Sequence, residues 1–266
     1  MKDIEQKSSP LVDIQSTRDP RNISIDKVGV RDVKYPIIVL DRVNEHQHTI
    51  GNFTLTVDLP HHFKGTHMSR FIEVLASHSE SISVHAIPKI LKGLKDRLHA
   101  ETAHLEVTFP FFMKKAAPVT GKESMMEYEC GFFAASNHEE DFVMCVKVPV
   151  TTLCPCSKEI SAYGAHNQRG IVTAKLRFKD HIWLEEIIEL IEARASCGLY
   201  PLLKRPDEKW VTEHAYDNPR FVEDMVREVA LAFDADERIH SYEIEVENFE
   251  SIHTHNAYAH LERTKS

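Results

Sequence analysis

The sequence has no apolar run approaching the roughly 18 residues needed to cross a bilayer. Its N-terminus is charged where a signal peptide would carry an apolar core. Membrane-spanning and secreted classes are therefore not expected, and a cytoplasmic location is. Glycine is sparse, with 9 residues against 12 prolines in 266, so the chain is neither collagen-like nor of low complexity. Cysteine is scarce and odd in number. Five cannot complete a disulfide framework, and a reducing compartment fits them better. Positive charge is in deficit: a formal net charge of −9 argues against a dedicated DNA or RNA binder, though not against a small polyanion in a locally basic pocket. Neither G-x-x-x-x-G-K-[ST] nor G-x-G-x-x-G occurs, so any nucleotide must be held by side chains and not by a glycine-rich phosphate loop.

What is present is an orderly change of hydrophobic period. Residues 1–26 are polar, with Ser8-Ser9-Pro10 and Asp19-Pro20, and read as a mobile arm or an oligomer strap. A first strand is expected around Val33–Leu40, where Pro36 marks an edge or a bulge. Phe53, Leu55, Val57 and Leu59 alternate with polar residues as a half-buried strand does. Helices follow over about Met68–Ser77 and along Ile87, Ile90, Leu91, Leu94 and Leu98. Alternation returns over Leu105–Phe111 and Met126–Ala134. The second half repeats the order: strands at Phe142–Val150 and Val172–Phe178, a helix over about Trp183–Ala195, and another expected to begin at Asn218-Pro219 as N-cap and first helical position. Tyr242–Val246 and Ala257–Leu261 close the pattern. The expected fold is α+β, two tandem β-β-α-α-β-β modules with antiparallel sheets and helices on one face, divided as 27–137 and 138–266.

The chemistry-bearing residues concentrate in the second half. Cys154-Pro155-Cys156 follows directly on a strand, and thiols two residues apart across a proline do not close readily on each other. One can ligate a metal while the other faces a substrate, although a plainly buried thiol is as common. His166 lies twelve residues on, Glu208 sits in what reads as a polar insertion between helices, and His253 and His255 occupy the turn between the last two strands. Thiolate, imidazole and carboxylate together are the ligand types of a catalytic zinc or iron site with a position open for water. Of 17 histidines most belong to surface or core, and crowding makes only one of His253 and His255 a ligand. Lys158, Arg169, Lys204, Arg205 and Arg70 are candidate anion contacts, each more often a solvated charge. Glu223, one turn into a helix, offers a carboxylate to a guanidine-like edge such as N1–H and the 2-amino group of guanine. From spacing alone, favourable placement near the positive helix end explains it better.

Seven segments in order resemble the type B GTP cyclohydrolase I family: QSTRD (15–19), THMSR (66–70), PVTTLCPCSKEIS (149–161), GAHNQR (164–169), LLKRPDEK (202–209), NPRFVED (218–224) and ESIH (250–253). The resemblance implies a tunnelling fold, a homotetramer with active sites at subunit interfaces, and conversion of GTP and water to 7,8-dihydroneopterin triphosphate and formate, the entry to folate and related pterins. Carried over by position, it implies that Cys154, His166, Glu208 and His253 hold one divalent metal (zinc, manganese or ferrous iron), that Cys154, Cys156 and His166 serve catalysis, and that Glu223 anchors guanine. Lys158, Arg169, Lys204, Arg205 and Arg70 are then the triphosphate contacts. Opening the imidazole ring requires water at C8 with N7 protonated, and a histidine of ordinary pKa near 6.5 can exchange that proton. Two other readings stay open: a related nitrile reductase with a cysteine nucleophile, which would not need metal, and a non-enzymatic metal-binding protein, which would bind several equivalents and turn over no GTP.

Overall fold

In both halves of the chain two long antiparallel strands lead into helices that fold back over the sheet. The computed structural model describes residues 13–78, 86–137 and 140–265. Residues 1–12 of the expected arm lie outside these. The rest of the arm is pinned: Lys64 N–H donates to Thr17 O at 3.0 Å and Gly65 N–H to Gln15 O at 3.1 Å.

The first half runs β1 (Ile25–Asp41), β2 (Glu45–Leu59), α1 (Met68–Ala76), α2 (Ile87–Leu98), β3 (Ala103–Ala116) and β4 (Glu123–Ser136). The second runs β5 (Glu140–Leu153), α3 (Pro155–Ile160), β6 (Asn167–Phe178), α4 (Leu184–Glu192), β7 (Cys197–Gly198), α5 (Arg205–Asp217), α6 (Val222–Ala235), β8 (Ile239–Asn248) and β9 (Ala257–Thr264). Leaving out the short β7, all strands join one antiparallel sheet in the order β1-β2-β3-β4-β5-β6-β8-β9. The α+β expectation of paired strand-strand-helix-helix-strand-strand units holds, with β4 pairing β5 to make the two sheets continuous. Among the described residues β1 is an edge, and Pro36 sits in regular register opposite Ile50. The register shifts fall earlier, between Ile25 and Val28 and between Val30 and Val33, where Asp32 takes φ 57°. Pro36 therefore marks an edge and not a bulge.

Strand alternation decides the layers. Phe53, Leu55 and Val57 point inward against Phe71, Val74, Leu75, Ile90 and Leu94 of α1 and α2. In the second half Val172, Ala174 and Leu176 meet Ile187, Ile188 and Ile191 of α4 and Met225, Val229 and Phe233 of α6. The intervening residues, such as Thr173, Lys175, Glu243 and Glu245, lie on the other, helix-free face.

Two sequence expectations need correction in the second half. The segment read as a polar insertion is the first turn of α5, and Asn218-Pro219 ends that helix instead of starting the next. Asn218 Nδ2 donates to His214 O at 2.8 Å, closing α5, and α6 begins three residues later with Phe221 as N-cap. Helix α5 was hidden because it buries little besides Asp207 and Ala215, so no apolar stripe announces it.

Asp207 is fully buried and ties α5 to the β3–β4 turn. Its carboxylate accepts from Val119 N–H (2.9 Å), Thr120 N–H (2.8 Å), the Thr120 hydroxyl (2.7 Å) and Lys204 N–H (2.9 Å). Burial alone would raise its pKa, but these four donors outweigh it and bring the group down to about 2. A folded-state pKa below the ordinary value of about 3.9 adds stability that is present above pH 4 and lost as pH falls toward 2. Asp207→Asn is expected to lower Tm at pH 7 by roughly 5–10 °C. In thermal melts the gap from wild type should narrow between about pH 4 and 2; a gap constant with pH would show that ionised Asp207 is not what holds this joint.

Candidate active site

The last residue of β5, Leu153, is fixed on every side, and that fixes Cys154. Where β4 leaves β5, the short β7 takes its place, pairing Val150 with Gly198 and Thr151 with Cys197. Leu153 N–H donates to the buried Ser196 hydroxyl at 3.0 Å, and Leu153 O accepts Arg220 N–H at 3.0 Å. The second bond brings the segment leading into α6 against the end of β5. Cys154 is then the N-cap of α3, with Pro155 at the first helical position.

Opposite it, at the start of β6, Cys154 N–H donates to His166 O at 3.1 Å. Ser157 closes the loop between them: its hydroxyl donates to Cys154 O at 3.1 Å and accepts His166 N–H at 3.2 Å. The His166 ring is largely buried. Its Nδ1 lies 3.1 Å from Gln168 Oε1, 3.4 Å from Ser251 Oγ and 3.9 Å from a Glu250 oxygen. Gln168 in turn donates through Nε2 to the fully buried Thr152 hydroxyl at 2.9 Å. The turn carrying Glu250 and Ser251 follows β8, whose Asn248 pairs with Gly170 of β6. Glycine suits this close approach, since a Cβ at position 170 would lie 2.5 Å from Asn248 Oδ1 and the Asn248 side chain would have to shift.

The thiols divide into two kinds. Cys130, Cys145 and Cys197 are buried, and burial pushes all three up, Cys145 and Cys197 to about 11. Those are inert core groups. Cys154 is half-buried and Cys156 exposed, both free thiols at the end of the sheet.

The other expected residues are spread around this end. Lys158 Nζ donates to Tyr216 O and lies 4.3 Å from the centre of the Tyr216 ring, joining α3 to the end of α5. Glu208 is exposed near the opposite end of α5, eight residues from Tyr216 and so about 12 Å along the axis. Lys204 and Arg205 flank it, exposed. Glu223 is exposed in the first turn of α6, three residues past the Arg220–Leu153 bond. His253 stacks on His255 with ring centres 5.0 Å apart, both exposed in the β8–β9 turn. Arg169 points away from Gln168, toward the helix-free face, because successive strand residues alternate. Arg70 lies in the first half, donating to Arg97 O at the end of α2 at 3.0 Å.

Cys154 and His166 are thus adjoining, whereas Glu208 and Arg70 stand apart from them within one chain. Among the described residues, the group of three whose ligand atoms lie within 4.8 Å of one another is Glu243, Glu245 and His260, a set that could hold a metal ion. It sits on the helix-free face of β8 and β9, where Lys175 Nζ already lies 3.1 Å from Glu243 and the Tyr258 hydroxyl donates to Glu245. Sequence reasoning missed Thr152, Gln168, Glu250 and Ser251. The available signal was local: Gln168 shares a strand face with Gly170 and Val172 and lies two residues from His166.

A family model described as type I GTP cyclohydrolase folE2 matches residues 11–259. The chain belongs to that family. Named relatives agree with the assignment. The GTP cyclohydrolase FolE2 of Geotalea uraniireducens (strain Rf4) is 53% identical over 255 residues, 96% of this chain and 94% of that protein. The GTP cyclohydrolase FolE2 of Azoarcus sp. (strain BH72) is 54% identical over 265 residues, 97% of this chain and 98% of that one. Among solved structures, a highly active mutant of Bacillus sp. TB-90 urate oxidase superposes with a TM-score of 0.55 at 9% identity, covering 91% of this chain and 100% of that one. A uricase from Bacillus fastidious gives 0.55 at 7% identity, covering 90% and 93%. At that identity the likeness concerns the tunnelling fold alone. No helix among the described residues is long and apolar enough to cross a membrane.

Proposed function

We propose that this protein is a metal-dependent GTP cyclohydrolase that converts GTP and water to 7,8-dihydroneopterin triphosphate and formate, in folate or pterin biosynthesis. Membership of the FolE2 family supports the reaction. The structural observation that carries the site is the backbone pairing of Cys154 with His166, which brings a thiol-bearing and an imidazole-bearing residue to adjoining strand ends, with Nδ1 of the ring bonded and Nε2 without a bonded partner among the described residues.

That donor set fits a divalent ion. Thiolate and imidazole suit zinc, manganese or ferrous iron, with Glu208 and His253 completing the set. When bound, such an ion supplies the acidity that makes water a nucleophile near neutral pH. The remaining steps belong to the chain. Glu223 accepts the N1–H and 2-amino group of guanine and fixes the purine. His166, from the metal shell or after leaving it, exchanges the N7 proton, which makes C8 electrophilic. Cys156 places its thiol against the purine or the ring-opened intermediate. Lys158, Arg169, Lys204, Arg205 and Arg70 hold the triphosphate, giving binding energy remote from the reacting carbon.

The 12 Å offset of Glu208 along α5, and the position of Arg70 in the other half, favour sites completed between subunits of a homotetramer. The division into modules 27–137 and 138–266 belongs to the same reading, supported by the repeated element order. So does a cytoplasmic location without nucleic-acid or membrane partners, supported by five free thiols and the net charge of −9.

The test is formate release from GTP by metal-stripped protein, with zinc, manganese or ferrous iron restored one at a time. Turnover is expected only after one of these is added. Absence of turnover with every metal in folded, tetrameric protein would overturn the reading, and metal-independent activity would point to the nitrile-reductase chemistry instead.

A further inference from the structure

We infer that Gln168 is a positioning residue for His166: anchored on the buried Thr152, it takes the hydrogen of Nδ1 and so leaves the Nε2 lone pair facing the site. The inference rests on the reading of His166 as a site residue and concerns how the chain makes that histidine usable.

A neutral imidazole carries its proton on either nitrogen, and the bond made by one decides the state of the other. Around His166 the surroundings are asymmetric. Nδ1 faces Gln168 Oε1 at 3.1 Å, with a Glu250 carboxylate oxygen at 3.9 Å and Ser251 Oγ at 3.4 Å. An amide oxygen and a carboxylate only accept, so both call for a hydrogen on Nδ1. No group among the described residues bonds Nε2. The backbone is locked as well, through Ser157 and Cys154, leaving the ring little freedom but rotation about its own bonds.

The amide itself has to be told which way to face. Gln168 is 7% exposed and Thr152 fully buried, so their side chains satisfy each other away from water. The Nε2–H2 group donates to the Thr152 hydroxyl at 2.9 Å, which holds the amide in place. A hydroxyl can also donate, so it is the Glu250 carboxylate, 3.9 Å from Nδ1, that selects the orientation with Oε1 toward His166. A flipped amide would put an N–H group against Nδ1 and move the imidazole proton to Nε2, away from the Glu250 carboxylate that attracts it. The relay Thr152–Gln168–His166 therefore crosses one rung of the β5–β6 pair, in which Thr152 and Gln168 are direct partners. Outer partners that orient a ligating histidine in this way typically change metal affinity or activity by about 10–100-fold when removed.

The experiment uses full-length protein labelled with ring-15N histidine and free of GTP, the His166 signal being assigned by its loss in His166→Gln. Wild type is expected to show a protonated Nδ1 and an unprotonated Nε2. Gln168→Met, similar in size but without an acceptor, should shift the tautomer toward Nε2–H and weaken zinc binding, measured against a competing chelator, by about 10–100-fold. Gln168→Glu keeps an acceptor at Nδ1 and should restore both. A wild-type ring protonated on Nε2, or a Gln168→Met protein with unchanged tautomer and unchanged zinc affinity, would overturn the inference. Because neither readout involves turnover, a wild type that shows this tautomer dependence yet releases no formate would uphold the role of Gln168 while refuting the cyclohydrolase reading.

Discussion

Replacing Cys156 with alanine is expected to cut formate release from GTP by about 10³-fold or more while the protein keeps its metal. The expectation comes from the different situations of two thiols separated by one proline. Cys154 is half-buried at the N-cap of α3, its N–H and carbonyl both committed to the His166 loop. Cys156 is one step further round the helix, exposed, and has no bonded partner among the described residues. A group so placed is available to a substrate and unnecessary for the fold. Cys154→Ala should instead lose both metal and activity if, as proposed, it removes a ligand. Metal analysis beside the formate assay separates the two. If Cys156→Ala retains activity within tenfold of wild type, the thiol has no chemical role; if it loses its metal, the two cysteines have been given each other's tasks.

Much of this architecture is visible in the hydrophobic period. Phe53-x-Leu55-x-Val57 and Val172-x-Ala174-x-Leu176 alternate because one face of the sheet meets helices and the other does not. Helix α6 shows its stripe of Met225, Val226, Val229 and Phe233 for the same reason. Helix α5 shows none. It is held at one end by the buried Asp207 carboxylate and at the other by Lys158 on the Tyr216 carbonyl, polar contacts that leave no periodic trace. Asn218-Pro219 misleads for a related reason: an Asn that caps carbonyls at a C-terminus reads like one that caps N–H groups at an N-terminus until its partner is known. At the site, residue types and order were legible, because thiol, imidazole and carboxylate announce their chemistry. The Thr152–Gln168 relay was not, since neutral polar side chains gain meaning only from the register that sets them side by side.

Glu223 carries the second large effect. Its position in the first turn of α6 has a structural explanation, the positive end of the helix, worth about 0.3–1 kcal/mol for an exposed carboxylate. Its neighbour Asp224 already caps that turn, accepting Phe221 N–H at 3.0 Å. Glu223 is left with no bonded partner among the described residues, exposed, on a helix start tied to Leu153 through Arg220. The two explanations are compatible, since a carboxylate placed at the positive end of a helix can still accept two hydrogen bonds from one guanine edge. They differ in what substitution does. Glu223→Gln loses the charge and turns one acceptor into a donor, which a structural role would register as a Tm change of a few degrees at most. A guanine anchor should register as a fall of roughly 10³–10⁴-fold in kcat/KM for GTP, because sites built around substrate N–H groups discriminate on that scale. Inosine triphosphate, which lacks the 2-amino group, supplies the control: wild type should strongly prefer GTP over it, and Glu223→Gln should lose most of that preference. Unchanged selectivity in a stably folded variant would return Glu223 to the helix end and leave the purine to be held by another residue.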